Sequence, residues 1–245
     1  MQLHIYKDGT ELSTAVAQWI ADTIAATLKK QDRFTIAVSG GSTPKQLHKL
    51  LAASPYKEQI DWSKMHIFWG DERAVPFDDD RNNAKMAYDT LLNFVPVPAE
   101  QIHIMRTDNI TPEQSAAEYE KILHTYFDPA PGRPETSFDL VLLGMGDDGH
   151  TLSLFPGTAV VHEEKAWATS FFLKAQDMYR ITLTKTIVNR SARVAFLTTG
   201  TGKAHALKEV LEGTYNPDLY PSQEIKPIGE LHWFVDEAAA AQLKK

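Results

Sequence analysis

The chain has 245 residues, 43% hydrophobic and 23% charged, with a formal net charge of −7. It has no cysteine, so disulfides, thiolate metal sites and cysteine nucleophiles are excluded. The acidic balance argues against non-specific nucleic-acid binding, which phosphate neutralisation drives, and no apolar run approaches the roughly 18 residues of a membrane span. An anionic small substrate stays open, because a few cations and helix N-termini can hold one. MQLHIYKDGT has no secretory apolar core. With the missing cysteines, that predicts a cytoplasmic protein. The length suits one large α/β domain or two small ones.

Leu3-His4-Ile5-Tyr6 reads as a short strand and Asp8-Gly9-Thr10 as a turn. Leu12, Val16, Trp19, Ile20, Ile24 and Leu28 recur at spacings of three and four, which predicts an amphipathic helix over 11–31. Phe34–Val38 is a buried-type strand that runs into Ser39-Gly40-Gly41-Ser42-Thr43-Pro44. Thr43 is expected to cap a helix from Pro44 to Leu51. Such a junction is either a well-capped tight turn or a phosphate seat made of unpaired helix amides.

His66–Trp69 is a third strand, ending in Gly70-Asp71-Glu72-Arg73. Charged residues after an apolar strand often form a solvated loop, but these share a strand end with the glycine loops. Asp78-Asp79-Asp80 reads as a solvated face. A helix is expected over 83–93, an irregular connection at Pro96 and Pro98, and a helix from Thr111 to about Phe127. Thr111 with Gln114 forms the capping signature of that last helix. Pro129, Pro131, Gly132 and Pro134 predict a loop.

Asp139–Leu143 is the next buried strand. It breaks into Gly144-Met145-Gly146-Asp147-Asp148-Gly149-His150, with three glycines in six residues. Strands follow at 166–172, 180–184 and 194–199. Gly200-Thr201-Gly202-Lys203 then leads to a helix over 204–212. The last strand is 231–235, and Asp236 is expected to cap a final helix over 238–241.

Strand and helix alternate almost throughout, which predicts an α/β fold. Its sheet is mostly parallel and doubly wound with helices on both faces, with a small lid or subdomain beside it. The loops at 39–44, 70–73, 144–150 and 199–203 then fall on one edge of the sheet, where such folds bind ligands.

Gly144-x-Gly146-x-x-Gly149 matches the dinucleotide fingerprint literally, but Pro156-Gly157 would cut its helix short. Gly202-Lys203-Ala204 fails the phosphate-loop spacing, with Leu197 at the first glycine position and Ala204 at the Ser/Thr position. Neither a Gly-x-Ser-x-Gly elbow nor a His-Glu-x-x-His motif is present. What remains is a phosphate cradle, the cations Arg73, Arg180 and Lys203, and His150 flanked by carboxylates. A histidine can take a proton from water and return it to a leaving oxygen, with Asp148 orienting the ring. That kit serves metal-free hydrolysis of an activated ester on a phosphorylated substrate, or proton transfer on a sugar phosphate.

Ser39 to Pro44, Trp69 to Arg73 and Gly144 to Gly157 together resemble the signature blocks of the 6-phosphogluconolactonase family. Arg180 to Thr184, Gly202-Lys203-Ala204 and Trp233-Phe234-Val235-Asp236 fit the same resemblance. It spans nearly the whole chain, as one domain over 1–245. It departs at Leu152, where the family usually carries alanine, with an effect expected on packing alone. Pro221-Ser222-Gln223 fits the family only loosely.

The resemblance implies hydrolysis of 6-phospho-D-glucono-1,5-lactone to 6-phosphogluconate in the oxidative pentose phosphate pathway. It implies neither metal nor organic cofactor. With the charge and hydropathy above, the expected partner is the phosphorylated sugar lactone, without nucleic acid or membrane, for a monomer or small homo-oligomer. His150 is then the general base, supported by Asp148. Arg73 and Lys203 contact the substrate, and Gly40, Gly41, Ser42 and Thr43 line the pocket; Arg180 is a further candidate, from its charge, to hold the phosphate or stabilise an oxyanion. The implied fold is that of glucosamine-6-phosphate deaminases and ribose-5-phosphate isomerases. A deaminase is the enzyme alternative, but those relatives continue Asp-Gly-His with Ile-Ala-Phe-Asn-Glu-Pro. Here Thr151 to Pro156 lacks the following acid. A non-catalytic sugar-phosphate sensor is the alternative of another class.

Overall fold

The apolar runs become strands because alternate residues on each can be buried on opposite faces. In the computed structural model, which describes residues 1–128 and 135–244, the strands are β1 (Gln2–Tyr6), β2 (Phe34–Val38), β3 (Met65–Trp69), β4 (Asp71–Arg73, charged rather than apolar) and β5 (Ile102–His103). They continue as β6 (Leu140–Leu143), β7 (Ala168–Leu173), β8 (Met178–Leu183), β9 (Arg193–Thr198) and β10 (Glu230–Asp236). One sheet has the order β1-β10-β9-β6-β2-β3-β5 with every neighbouring pair parallel. The longer helices are α1 (Gly9–Leu28), α2 (Ser42–Leu51), α5 (Pro112–Phe127) and α7 (Ala204–Glu212). The short ones are α3 (Tyr56–Gln59), α4 (Asn83–Ala87) and α6 (Lys185–Val188).

Two apolar clusters lie on the two faces of this sheet. Ile36, Val38, Leu140, Leu142 and Leu197 pack with Leu12, Val16 and Ile20 of α1 and Leu47 of α2. Their neighbours Ala37, Val141, Leu143 and Phe196 pack with Leu123 of α5 and Leu207 of α7. Strands buried on both sides read as continuous apolar runs for this reason. Each fully buried Leu or Phe contributes about 1.5–3 kcal/mol, so neither face can be uncovered cheaply.

Side-chain caps mark the starts of α1, α4 and α5. Thr111 and Gln114 form a complete capping box on α5. Asp8, expected in a turn, instead caps α1 by accepting from the N–H groups of Thr10 and Glu11. The segment after Asn82 is α4 followed by a π-helical turn at Tyr88–Leu92.

Three further details differ from expectation. The cap of α2 is Gly41 at φ 112°, not Thr43, and the helix begins at Ser42. Thr43 does not cap because its Oγ1 lies 2.9 Å from Thr199 Oγ1. The C-terminal helix is a single 3₁₀ turn, Ala239–Gln242, whose Ala239 N–H is still accepted by Asp236. The charged run after Trp69 is not a loop, because β4 pairs antiparallel with β8, and β8 with β7. This three-stranded sheet is the small second unit. The loop expected at Pro129, Pro131, Gly132 and Pro134 lies outside the described residues. No helix among the described residues is long and apolar enough to cross a membrane.

Strand order places the site. From β2 the chain moves outward to β3 and β5, then returns to the other side of β2 as β6 and proceeds to β9 and β10. The order reverses between β2 and β6, and a crevice forms beyond their carboxyl ends.

Candidate active site

The glycine loops after β2 and β6 open on that crevice. It is a cleft of about 210 Å³ lined by Ser39, Gly40 and Gly41, by Gly144, Met145, Gly146, His150 and Leu152, and by Asp71, Arg73, Asn83, Arg180 and Lys203. The main sheet, the small sheet and the turn before α7 all contribute to it.

His150 is held from two sides. Its Nδ1 lies 2.6 Å from Asp148 Oδ1, and its backbone N–H donates to the same oxygen at 3.1 Å. An ionised carboxylate only accepts, so the ring proton sits on Nδ1 and Nε2 carries the free lone pair. Phe155 stacks on the imidazole with centroids 4.1 Å apart. Burial pushes the Asp148 carboxyl up, but the hydrogen bonds it accepts from His150 help hold the group below its ordinary value. Asp148 is therefore ionised at neutral pH.

The loop conformation depends on its glycines. A Cβ on Gly146 would sit 2.0 Å from His150 Nδ1 and 2.4 Å from Asp148 Oδ1. Gly149 adopts φ +77° beneath Tyr220, and its carbonyl accepts from both the N–H and the hydroxyl of Ser222. The loosely matching Pro221-Ser222-Gln223 segment thus braces the 144–150 loop from behind.

The cationic wall comes from the small sheet. Arg73 and Arg180 are directly opposite in the β4–β8 pair, an arrangement that repels unless both charges find partners. Buried Arg180 donates to Asp71 Oδ2 at 3.1 Å and to Ser153 Oγ at 2.9 Å, and Ser153 donates to the same Asp71 oxygen at 2.6 Å. Arg73 donates to Asn83 Oδ1 at 2.6 Å and to the Arg81 carbonyl at 3.0 Å. Both guanidinium groups are thereby fixed without an excess of anions. Behind them the buried Glu72 carboxylate accepts the N–H groups of Arg73, Asn83 and Ala84. Burial pushes the Glu72 carboxyl up to about 7, with those three N–H groups pulling it back.

Of the residues singled out in the sequence, Gly40, Gly41, Arg73, His150, Arg180 and Lys203 line the cleft. Asp148 stands behind His150. Ser42 and Thr43 do not line it; their place is the first turn of α2, whose end no side chain caps. Asn83 was missed, while Asp71 and Ser39 were read only as members of their loops and also line the cleft. A Cβ on Gly40 would lie 1.9 Å from Asn83 Oδ1, so Asn83 packs directly on the glycine loop. Its only sequence signal was a place in the Asn82-Asn83 helix start. Leu152 lies in αL conformation at φ 55°, covers Gly70 and also lines the cleft. Asp79 and Asp80 pair with Arg81 and Lys85 on the surface, away from the cleft. Among the described residues no group of three His, Asp or Glu side chains is placed to hold a metal ion.

The family model for glucosamine-6-phosphate isomerases/6-phosphogluconolactonase matches residues 7–233. The chain belongs to this family. Within it, the 6-phosphogluconolactonase of Nostoc sp. strain PCC 7120 is 41% identical over 241 residues, covering 98% of each chain. The solved 6-phosphogluconolactonase of Trypanosoma brucei superposes with a TM-score of 0.87 at 28% identity, covering 99% of this chain and 98% of that one. A monomeric glucosamine-6-phosphate deaminase superposes with a TM-score of 0.83 at 21% identity, covering 99% and 100%, which establishes shared fold alone.

Proposed function

We infer that this chain hydrolyses 6-phospho-D-glucono-1,5-lactone to 6-phosphogluconate, a step of the oxidative pentose phosphate pathway, as a single cytoplasmic domain. The observation that carries the mechanism is the Asp148–His150 pair, which leaves Nε2 as the base in the cleft. Nε2 takes a proton from water as its oxygen adds to C1 of the lactone. Arg73 and Arg180 offset the charge that develops on the carbonyl oxygen. The tetrahedral intermediate then breaks its C1–O5 bond, and His150 returns the proton to O5. The new carboxylic acid loses its proton to solvent. Because the pair supplies its own base, the reaction needs neither metal nor organic cofactor.

The phosphate is assigned to the uncapped N-terminus of α2 together with Lys203. The Thr43–Thr199 contact brings these two loops side by side, and free amides at a helix start favour an anion. The deaminase reading is disfavoured at Phe155. This residue stands where those relatives carry their following acid, and here it stacks on His150.

The test uses lactone generated in place from glucose 6-phosphate, with chelator present. Lactone loss well above the spontaneous rate, with no ammonia released from glucosamine 6-phosphate, is the expected result. Ammonia release, or no acceleration by the folded protein, would overturn the assignment.

A further inference from the structure

The acid pair at the tip of the catalytic loop is divided between two tasks. Asp148 turns toward His150, while Asp147 turns away and places Oδ1 2.6 Å from Lys203 Nζ. The other Asp147 oxygen lies over Gly202, where a Cβ would approach it to 3.0 Å. The carboxylate therefore rests on the Thr201–Lys203 turn that opens α7, in space that a side chain at 202 would crowd. The Asp147 side chain is 70% exposed and that of Lys203 26%. The acid reaches the lysine from the solvent side and can swing out without disturbing the core.

We propose that Asp147 is a specificity determinant: its carboxylate occupies the anion seat at Lys203 and must be displaced by the substrate's phosphate. This rests on the lactonase reading only in naming the incoming ligand as a sugar phosphate. A phosphate and a carboxylate can share one ammonium group only against their mutual repulsion. Inorganic phosphate must break the Asp147–Lys203 pair and gains only the α2 amides beside it. A phosphorylated lactone also reaches Arg73 and His150, and that second set of contacts offsets the displacement. Asp147 thus selects against small phosphate anions, and its return to Lys203 helps the phosphorylated product leave. An exposed pair holds its partners weakly, so the expected changes are about three- to tenfold.

The test compares wild type with Asp147→Asn, each also in a Lys203→Met background. Calorimetry with inorganic phosphate should show Kd falling about three- to tenfold in Asp147→Asn. KM for the phosphorylated lactone should fall by a smaller factor, and KM for unphosphorylated gluconolactone should not move. The gain in phosphate affinity should vanish in the Lys203→Met background. The proposal is overturned if Asp147→Asn binds phosphate no more tightly than wild type, if neither protein binds it measurably, or if the gain survives without Lys203. Phosphate titration needs no turnover, so a wild type that fails to hydrolyse the lactone refutes the functional reading and leaves this comparison decisive.

Discussion

Gly146 carries no side chain because His150 and Asp148 occupy the space one would fill. That links a backbone choice to chemistry at a single residue. Replacing Gly146 with alanine forces the imidazole and the carboxylate apart, since the new Cβ would lie 2.0 Å from Nδ1. Both side chains are partly exposed at a loop tip, so they can yield without opening the core. The expected result is a loss of about 100-fold in kcat/KM, with a thermal midpoint within a few degrees of wild type. Steady-state kinetics beside a thermal melt checks it, and full activity would contradict it. In the sequence, three glycines mark a tight turn that approaches a ligand. Which glycine the dyad needs is a contact between side-chain positions four residues apart, and no spacing rule reports it. The same holds for Gly40 and Asn83, which are 43 positions apart and touch only once β2 and α4 are packed.

Glu72 ties two elements together. It sits on β4 and accepts the first N–H groups of α4, so it holds the strand carrying Arg73 against the helix carrying Asn83. Its carboxyl is pushed up by burial to about 7 from 4.5. A carboxyl raised on folding binds its proton more tightly in the folded state. Stability is therefore fully present below about 4.5 and is lost as pH rises toward about 7, by on the order of 3 kcal/mol. Glu72→Gln removes this titration, although its amide NH₂ then faces a backbone N–H that needs an acceptor. Urea unfolding of both proteins at pH 5 and pH 8 measures the effect. The variant should be less stable at pH 5, and the gap should narrow at pH 8. A gap that widens with pH would contradict the account. At this scale the capping box of α5 was legible because both partners are local in sequence. The cap of α2 was not, because Thr43 bonds to Thr199 across the sheet instead of to its own helix.

Four segments distant in sequence meet at one edge because parallel strands all end there, and the reversal of strand order between β2 and β6 opens the crevice. Alternation of strands and helices foreshadows that much. The separate antiparallel sheet was harder to read. Its first strand, β4, is three charged residues, too short for a period to show, and its other two strands look like members of the main alternation. Yet this sheet supplies Arg73 and Arg180, so the positive wall of the site comes from the part of the fold least evident in the sequence. The central claim is that this assembly exists to present the Nε2 of His150 to a water beside a phosphorylated lactone. The most direct measurement is the rate of 6-phosphogluconolactone hydrolysis by wild type and His150→Asn, with the spontaneous rate subtracted and chelator present. The account predicts a loss of about 10²–10⁴-fold in the variant with phosphate binding retained. A variant that hydrolyses the lactone at the wild-type rate would contradict it.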